Sequence, residues 1–194
     1  FDGHTEIFAT LTGTKHYTMM LWSQNMSVVH VSTHCSLREA CDRAKKVRVL
    51  ECIHLAHNAM KRLGLDNPHI AVAGLNPHSG EHGLFGREEI EEIIPAIGEA
   101  RAEGLYVDGP VPPDTVFLKA YKGIYDIVVA MYHDQGHIPM KMMAFDTGVN
   151  VTLGLPIIRT SVDHGTAFDI AGKGIAKEDS MFSAVDLGIR FAKG

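Results

Sequence analysis

Short apolar runs at residues 17–22 and 26–32, separated by the polar triplet Ser23-Gln24-Asn25, predict two strands joined by a tight turn. The period then changes. Ser36-Leu37-Arg38-Glu39 has the form of a capping box, and apolar residues recur at Ala40, Cys41, Ala44, Val47, Leu50, Ile53, Ala56, Met60 and Leu63 before Gly64, which predicts one long amphipathic helix. From His69 onward strand-like and helix-like stretches alternate. A buried strand at 70–73 leads to a glycine-containing loop at 74–86 and a helix at 87–103 interrupted by Pro95. A strand at 105–107, a proline-rich loop at 109–114, a short helix and a strand at 126–130 follow. Such alternation predicts an α/β domain with a mostly parallel sheet flanked by helices. Ligand sites in these folds gather in the loops leaving the carboxyl ends of strands. The loops in question are Asn76-Pro77-His78-Ser79-Gly80-Glu81, Gly109-Pro110-Val111-Pro112-Pro113-Asp114 and Tyr132-His133-Asp134-Gln135-Gly136.

Composition narrows the functional classes. A chain of 194 residues, 45% of them hydrophobic, can bury one large core or one domain plus part of another. The net charge of −5, with both signs interleaved, leaves no basic tract that would follow a nucleic acid backbone. No apolar run approaches the roughly 18 residues of a membrane span, and no secretory signal pattern is present, so a cytoplasmic protein is expected. Cys35, Cys41 and Cys52 form no C-x-x-C pair and read as reduced thiols. No internal repeat, low-complexity tract or flexible linker stands out. The opening Phe1-Asp2-Gly3, without methionine or terminal cap, reads as a cut end.

Twelve histidines is a high count, and His4, His34, His78, His133 and His164 fall in polar or glycine-containing stretches of loop character. His78 follows one expected strand, His133 another, and His34 follows the strand around Val28-Val29-His30-Val31. Three neutral imidazoles with an open position make a catalytic divalent-metal site, whereas the same residues can equally cap or hydrogen-bond their loops; spacings of 44 and 55 residues decide nothing. His54 and His57, three apart on the expected helix, are an ordinary surface or packing pair unless they share a metal. Lys141, Asn150 and Arg159 are residue types that grip phosphate and carboxylate. Arg159, in the otherwise apolar run Ile158-Arg159-Thr160, is expected to be buried and to need an anionic partner, while Asn150 can also simply hold a turn. The stretch from His164 to Gly174 combines glycines, Thr166 and Asp169 in a loop that can approach a dinucleotide, though it is not a G-x-G-x-x-G fingerprint.

Four segments, Gly3-His4-Thr5-Glu6, residues 74–81, Met131-Tyr132-His133-Asp134-Gln135-Gly136 and residues 148–174, resemble in order and spacing the signature segments of the 4-hydroxythreonine-4-phosphate dehydrogenase family. The last is also similar to the adenosine-contacting loop of isopropylmalate and isocitrate dehydrogenases. The resemblance spans essentially the whole chain. It implies an isopropylmalate-dehydrogenase-like α/β fold, with residues 1–170 as a metal- and substrate-binding, dimer-forming domain and 171–194 as the return segment of an N-terminal domain whose preceding third is missing. It implies that His34, His78 and His133 hold a divalent metal (Zn, Mg, Mn or Co). His4, Thr5, Lys141, Asn150 and Arg159 would bind substrate, with Lys141 and His133 catalytic, and His164, Gly165, Thr166 and Asp169 would bind NAD. A homodimer would share each site between subunits.

By the same resemblance the expected reaction is NAD-linked oxidation of the secondary hydroxyl of 4-phosphohydroxy-L-threonine, whose product loses carboxylate to give 3-amino-2-oxopropyl phosphate on the route to pyridoxal phosphate. The wording Gly136-His137-Ile138-Pro139-Met140-Lys141 and the stretch Phe145-Asp146-Thr147-Gly148 look more like paralogues acting on 4-phospho-D-threonate or 4-phospho-D-erythronate. A reading of another class is a non-catalytic metal-binding dimerisation module. In the cofactor loop, the Asp169 carboxylate is expected to accept from the ribose 2′-hydroxyl and to repel a 2′-phosphate, selecting NAD over NADP.

Overall fold

The computed structural model describes residues 3–144 and 147–194; the expected cut end at Phe1-Asp2 and the Phe145-Asp146 part of the paralogue-like stretch lie outside the described residues. The strands are β1 (Thr18–Trp22), β2 (Ser27–His30), β3 (Ile70–Ala73), β4 (Val107–Val111), β5 (Ile127–Ala130), β6 (Val149–Leu153) and β7 (Arg159–Val162). The helices are α1 (His4–Thr12), α2 (Leu37–Arg43), α3 (Lys46–Arg62), α4 (Ile94–Ala102), α5 (Pro113–Tyr121), α6 (His133–Ala144) and α7 (Asp179–Lys193).

One sheet runs β4-β3-β5-β2-β1-β6-β7. The half β4-β3-β5-β2 is parallel, as the alternating pattern predicts; β2-β1, β1-β6 and β6-β7 pair antiparallel. The expected hairpin is present, with Met20 opposite Val29 and Leu21 opposite Val28, and its turn is closed by the Ser23 hydroxyl donating to the Met26 carbonyl. Every residue of β2, β3 and β5 is buried, because helices cover both faces. One layer, from α3, α4 and α7, packs on Met20, Val29, Val72, Ile127 and Val151. The opposite layer, from α5 and α6, packs Val116 and Met140 on Leu21, Val28, Ala71 and Val128.

Several local expectations are corrected. The single long helix is two: the chain turns at Ala44 and is extended at Lys45, and the Glu92 carboxylate accepts from the Lys46 N–H at 2.8 Å, capping α3 from another helix. Val47, expected on the apolar face, is accordingly 77% exposed. β4 passes through the segment read as a proline-rich loop; it is an edge strand, where a proline costs no ladder bond, and its register against β3 slips beside Ala73. Pro95 does not interrupt its helix but sits in the first turn of α4, preceded by a π-helical stretch at Glu89–Ile93. The segment of His133 is the first turn of α6 and not a loop. Arg159 is only partly buried, with Ile157 and Ile158 48% and 39% exposed beside it. α1, which no periodicity announced, is also present.

Close approach of α6 to the sheet depends on Gly136, since a Cβ there would collide with His30 Nε2 and stand 2.7 Å from Val28 Cγ1. Gly136→Ala should therefore destabilise the protein by about 1–3 kcal/mol, the usual cost of overpacking a filled core. The midpoint of urea denaturation tests this; an unchanged midpoint would mean that α6 can shift freely on β2.

Candidate active site

Each of three neighbouring parallel strands ends in a histidine-bearing connection: β2 runs on to His34, β3 to His78 and β5 to His133. Hydrogen bonds join these exits. Ser32 Oγ donates to the Met131 carbonyl at 2.9 Å, the Met131 N–H donates to Gln135 Oε1 at 2.7 Å, and Gln135 Nε2 donates to the Gly74 carbonyl at 2.8 Å. His34 and His133 come together, ring centroids 6.0 Å apart, with Glu6 Oε1 3.7 Å from His34 Nδ1. Behind them His137 stacks on His133 at 3.5 Å and 11°, and His30 lies 4.7 Å from His137. His30 Nδ1 sits 3.4 Å from the Met19 carbonyl, while Nε2 is buried with no partner among the described residues.

Glu6, His34, His133 and His137 open onto a cleft of about 550 Å³ that also holds His4, Thr5, Lys141, Asn150, Arg159, Ser161 and Asp163. The cleft lies where α6 stops covering the sheet, and β6 and β7 supply its floor. Arg159 Nη1 donates to Asn150 Oδ1 at 3.1 Å and Thr152 Oγ1 at 3.4 Å, and the Thr5 and Thr152 hydroxyls are 3.1 Å apart. Among the described residues no carboxylate pairs with Arg159, and burial lowers its pKa, so the guanidinium is an incompletely solvated cation facing the cleft. Lys141 Nζ donates to the Asp163 carbonyl oxygen at 3.1 Å and lies 3.6 Å from Asp163 Oδ2. Burial raises the Asp163 pKa against the opposing pull of Lys141. His4 is exposed in the first turn of α1, whose amino end opens on the same cleft.

His164 and Gly165 lead from this cleft into a second cavity of about 630 Å³, lined also by Thr166, Ala167 and Ile170. Residues 163–178 contain neither helix nor strand. Asp169 is exposed beside this cavity and is not among its lining residues.

His78 is placed apart from His34 and His133. It lines a different cavity, of about 520 Å³, with Ser79, His82, Glu89, Ile90 and Ile94. Its backbone is unusual: His78, Ser79, Gly80, Glu81 and His82 all have positive φ, from 41° to 80°, forming a left-handed turn. Each non-glycine residue there costs roughly 1–2 kcal/mol. The buried Ser79 hydroxyl has no partner among the described residues. Such strain persists only where surroundings impose it.

Asp163, His137 and Glu6 belong to the cleft, with the buried Thr152 behind Arg159 and Thr5, and none was singled out by residue type. Asp163 directly precedes His164 in the segment that carried the resemblance; His137 and Thr152 lie inside elements whose local sequence gives no sign of the cleft.

Comparison with known proteins follows the same lines. Residues 1–188 match the family model described as Pyridoxal phosphate biosynthetic protein PdxA. The chain is 56% identical over 192 residues to D-threonate 4-phosphate dehydrogenase of Salmonella typhimurium, covering 99% of this chain and 59% of that protein. It is 54% identical over 190 residues to 4-hydroxythreonine-4-phosphate dehydrogenase of Beijerinckia indica, covering 98% of this chain and 56% of that protein. A crystal structure of 4-hydroxythreonine-4-phosphate dehydrogenase from Klebsiella pneumoniae superposes with a TM-score of 0.88 at 52% identity, over 99% of this chain and 59% of that one. The chain thus spans about three-fifths of the length of these relatives. No helix among the described residues is long and apolar enough to cross a membrane.

The buried His30 sets an acid limit on stability. Burial, with the charge of His137 adding to it, pushes its pKa down to about 3. Above the unfolded value of about 6.5 the imidazole is neutral in both states and the contribution is constant; below it the unfolded chain takes up a proton that the folded chain refuses. Stability should therefore fall with pH from about 6.5 toward 3, this residue contributing a slope of about 1.4 kcal/mol per pH unit. Denaturation curves of His30→Leu and the parent chain between pH 7 and 4.5 test this: the variant should lose that part of the slope, and parallel pH profiles would refute it.

Proposed function

The chain belongs to the PdxA family of pyridoxal phosphate biosynthetic proteins, and on that premise we propose that it is the core of an NAD-linked, divalent-metal-dependent dehydrogenase for a small phosphorylated hydroxy acid. The observation that carries this reading is the convergence of His34, His133, Lys141, Asn150 and Arg159 on one cleft that continues into the cavity at residues 164–177.

The donor set fits a divalent cation. Two imidazoles on one tetrahedral ion have ring centroids roughly 5 Å apart, and His34 and His133 stand at 6.0 Å with Glu6 beside them. Among the described residues of one chain no group of three ligands is assembled, so His78, proposed as the third, would come from a second copy. Its placement in a separate cavity, beside the exposed Leu84, Phe85, Ile90 and Ile94, supports a homodimer that shares its sites. His34 and His133, with His78 of a second copy, would hold a metal whose charge would stabilise negative charge on the substrate hydroxyl, and a bound nicotinamide would supply the hydride acceptor.

The chain's own groups do the rest. Arg159, Lys141 and His4 grip phosphate and carboxylate, and Asn150 and Thr152 fix the direction of the Arg159 fork. That anchoring holds the carbinol carbon toward the cavity at His164 and Gly165, a positioning effect worth several kcal/mol. Asp163 Oδ2, kept near Lys141 Nζ in a largely buried setting, is the group placed to take up the hydroxyl proton. His164, Gly165 and Thr166 would approach the cofactor, with Asp169 at the rim facing the ribose. Residues 1–170 would carry metal, substrate and dimer contacts. Residues 171–194 would pack with a second domain, a division supported by the irregular segment 163–178 and by the exposed apolar stripe Met181, Phe182, Val185 and Ile189 on α7. The comparisons lend no support to a non-catalytic module.

For substrate we favour D-threonate 4-phosphate over 4-phosphohydroxy-L-threonine. The 56% identity to a relative of the first name supports this, and a cleft rich in cationic and imidazole groups suits the acid lacking an ammonium. Steady-state assay with NAD should give the higher kcat/KM for the hydroxy acid; the reverse order would return the chain to the amino substrate.

Mixing His78→Ala with His133→Ala dimers should restore turnover that neither has alone, because one site of each hybrid is intact. Recovery absent from verified heterodimers would place all three ligands in one subunit. Asp169→Ala should narrow the preference for NAD over NADP, and an unchanged ratio would assign that choice to another residue.

A further inference from the structure

We propose that Glu89 is a positioning residue for the metal centre, its buried carboxylate fixing the left-handed turn that aims His78. The proposal rests on the reading of His34, His78 and His133 as the ligands.

Glu89 is 1% exposed, yet among the described residues no Lys, Arg or His forms an ion pair with it. Its charge is met by amides instead. Oε1 accepts from the Leu75 and Asn76 N–H groups at 2.7 Å each, and Oε2 accepts from Asn76 Nδ2 at 2.9 Å. All three donors belong to the two residues immediately before the turn that opens at Pro77. Hydrogen bonds to a charged acceptor are stronger and more directional than neutral ones, so the entry to the turn is held in one orientation.

The far side of the turn rests on the same group. A Cβ on Gly80, whose φ is +80°, would stand 2.7 Å from Oε2, so the backbone backs directly onto the carboxylate. Gly74 leaves equally little room, since a Cβ there would lie 2.9 Å from Ser79 Cα. His78 sits between these two anchor points, one at Asn76 and one at Gly80. Glu89 itself is the first residue of the π-helical stretch Glu89–Ile93, a local widening of the helix of the kind often found at functional sites.

A turn with six consecutive positive φ values, His78 to Gly83, would relax toward ordinary geometry without such a clamp, and the imidazole of His78 would move with it. The clamp therefore sets where the third ligand points, while touching neither substrate nor metal. This separates it from Glu88, whose Oε2 accepts from Asn76 Nδ2 at 2.7 Å but does not face Gly80.

Co²⁺ titration of metal-free protein, followed by visible absorption, tests the role. Glu89→Gln keeps an acceptor for the two backbone amides but sets Nε2 against Asn76 Nδ2, donor against donor. It should weaken Co²⁺ binding by about 10- to 100-fold, the usual cost of losing an outer partner of a ligand. Saturating Co²⁺ should restore kcat with the substrate KM unchanged, and Glu88→Gln should bind Co²⁺ as the parent does. A role confined to stability would lower the melting temperature and leave Co²⁺ affinity at 25 °C untouched. Should Glu89→Gln not fold, Gly80→Ala, which pushes the carboxylate off the turn, should show the same weakening. A folded Glu89→Gln or Gly80→Ala with parental Co²⁺ affinity, alongside a His78→Ala that has lost it, overturns the positioning role. A His78→Ala with parental affinity and spectrum overturns instead the ligand assignment beneath it.

Discussion

Complete burial of β2, β3 and β5 is the constraint on which the remaining structure depends. Strands covered on both faces have no surface on which to carry polar chemistry, so functional groups can appear only where the chain leaves the sheet. Those exits must also satisfy their backbone amides and carbonyls without the sheet ladder. Gln135 solves both problems at once, taking the Met131 N–H and giving to the Gly74 carbonyl, while Ser32 secures the Met131 carbonyl. The positions of the histidines follow from that scaffold.

The sheet divides the labour of the cleft. Its parallel half brings His34 and His133 to it and His78 to a separate cavity; its antiparallel half supplies Asn150, Arg159 and Ser161 from adjacent strands in register, Asn150 facing Ser161 and the buried Thr152 facing Arg159. β1 is the seam, and Met19 on it touches both sides, opposite Thr152, its sulfur accepting from Asn150 Nδ2 and its carbonyl 3.4 Å from His30 Nδ1. Imidazoles and the Arg159 guanidinium are thereby brought to one cleft from different strands, without sharing a loop.

Legibility in the sequence followed the range of the interactions. The hairpin at β1 and β2, the buried strands β3 and β5 and most of α3 are determined by neighbours in sequence, and periodicity reads them. The break before α3 is not, because its cap is Glu92, 46 residues away. β4 was hidden by Pro110, whose tolerance depends on β4 lying at the edge of the sheet, a fact of topology. His133 was expected in a loop because its stretch follows a strand, is polar and contains Gly136; packing of α6 over His30 overrides that reading. At the site, Lys141, Asn150 and Arg159 were visible as residue types, and the structure brings them to one cleft. Asp163 and His137 became visible only through their neighbours in space.

His78 was the least legible of the candidates in its geometry, for the same reason. Its type and its place after a strand were evident, but nothing in Asn76-Pro77-His78-Ser79-Gly80-Glu81 announces a left-handed turn, since only Gly80 prefers positive φ. The conformation is imposed from Glu89 and from the close contacts at Gly74 and Gly80, groups that a local reading treats as helix and spacer. A strained loop backed by a buried carboxylate confines one histidine to one place, and in this chain that place is a cavity separate from the cleft holding His34 and His133. Had the turn served only to close the connection between β3 and the following helix, ordinary turn geometry would have done so at lower cost.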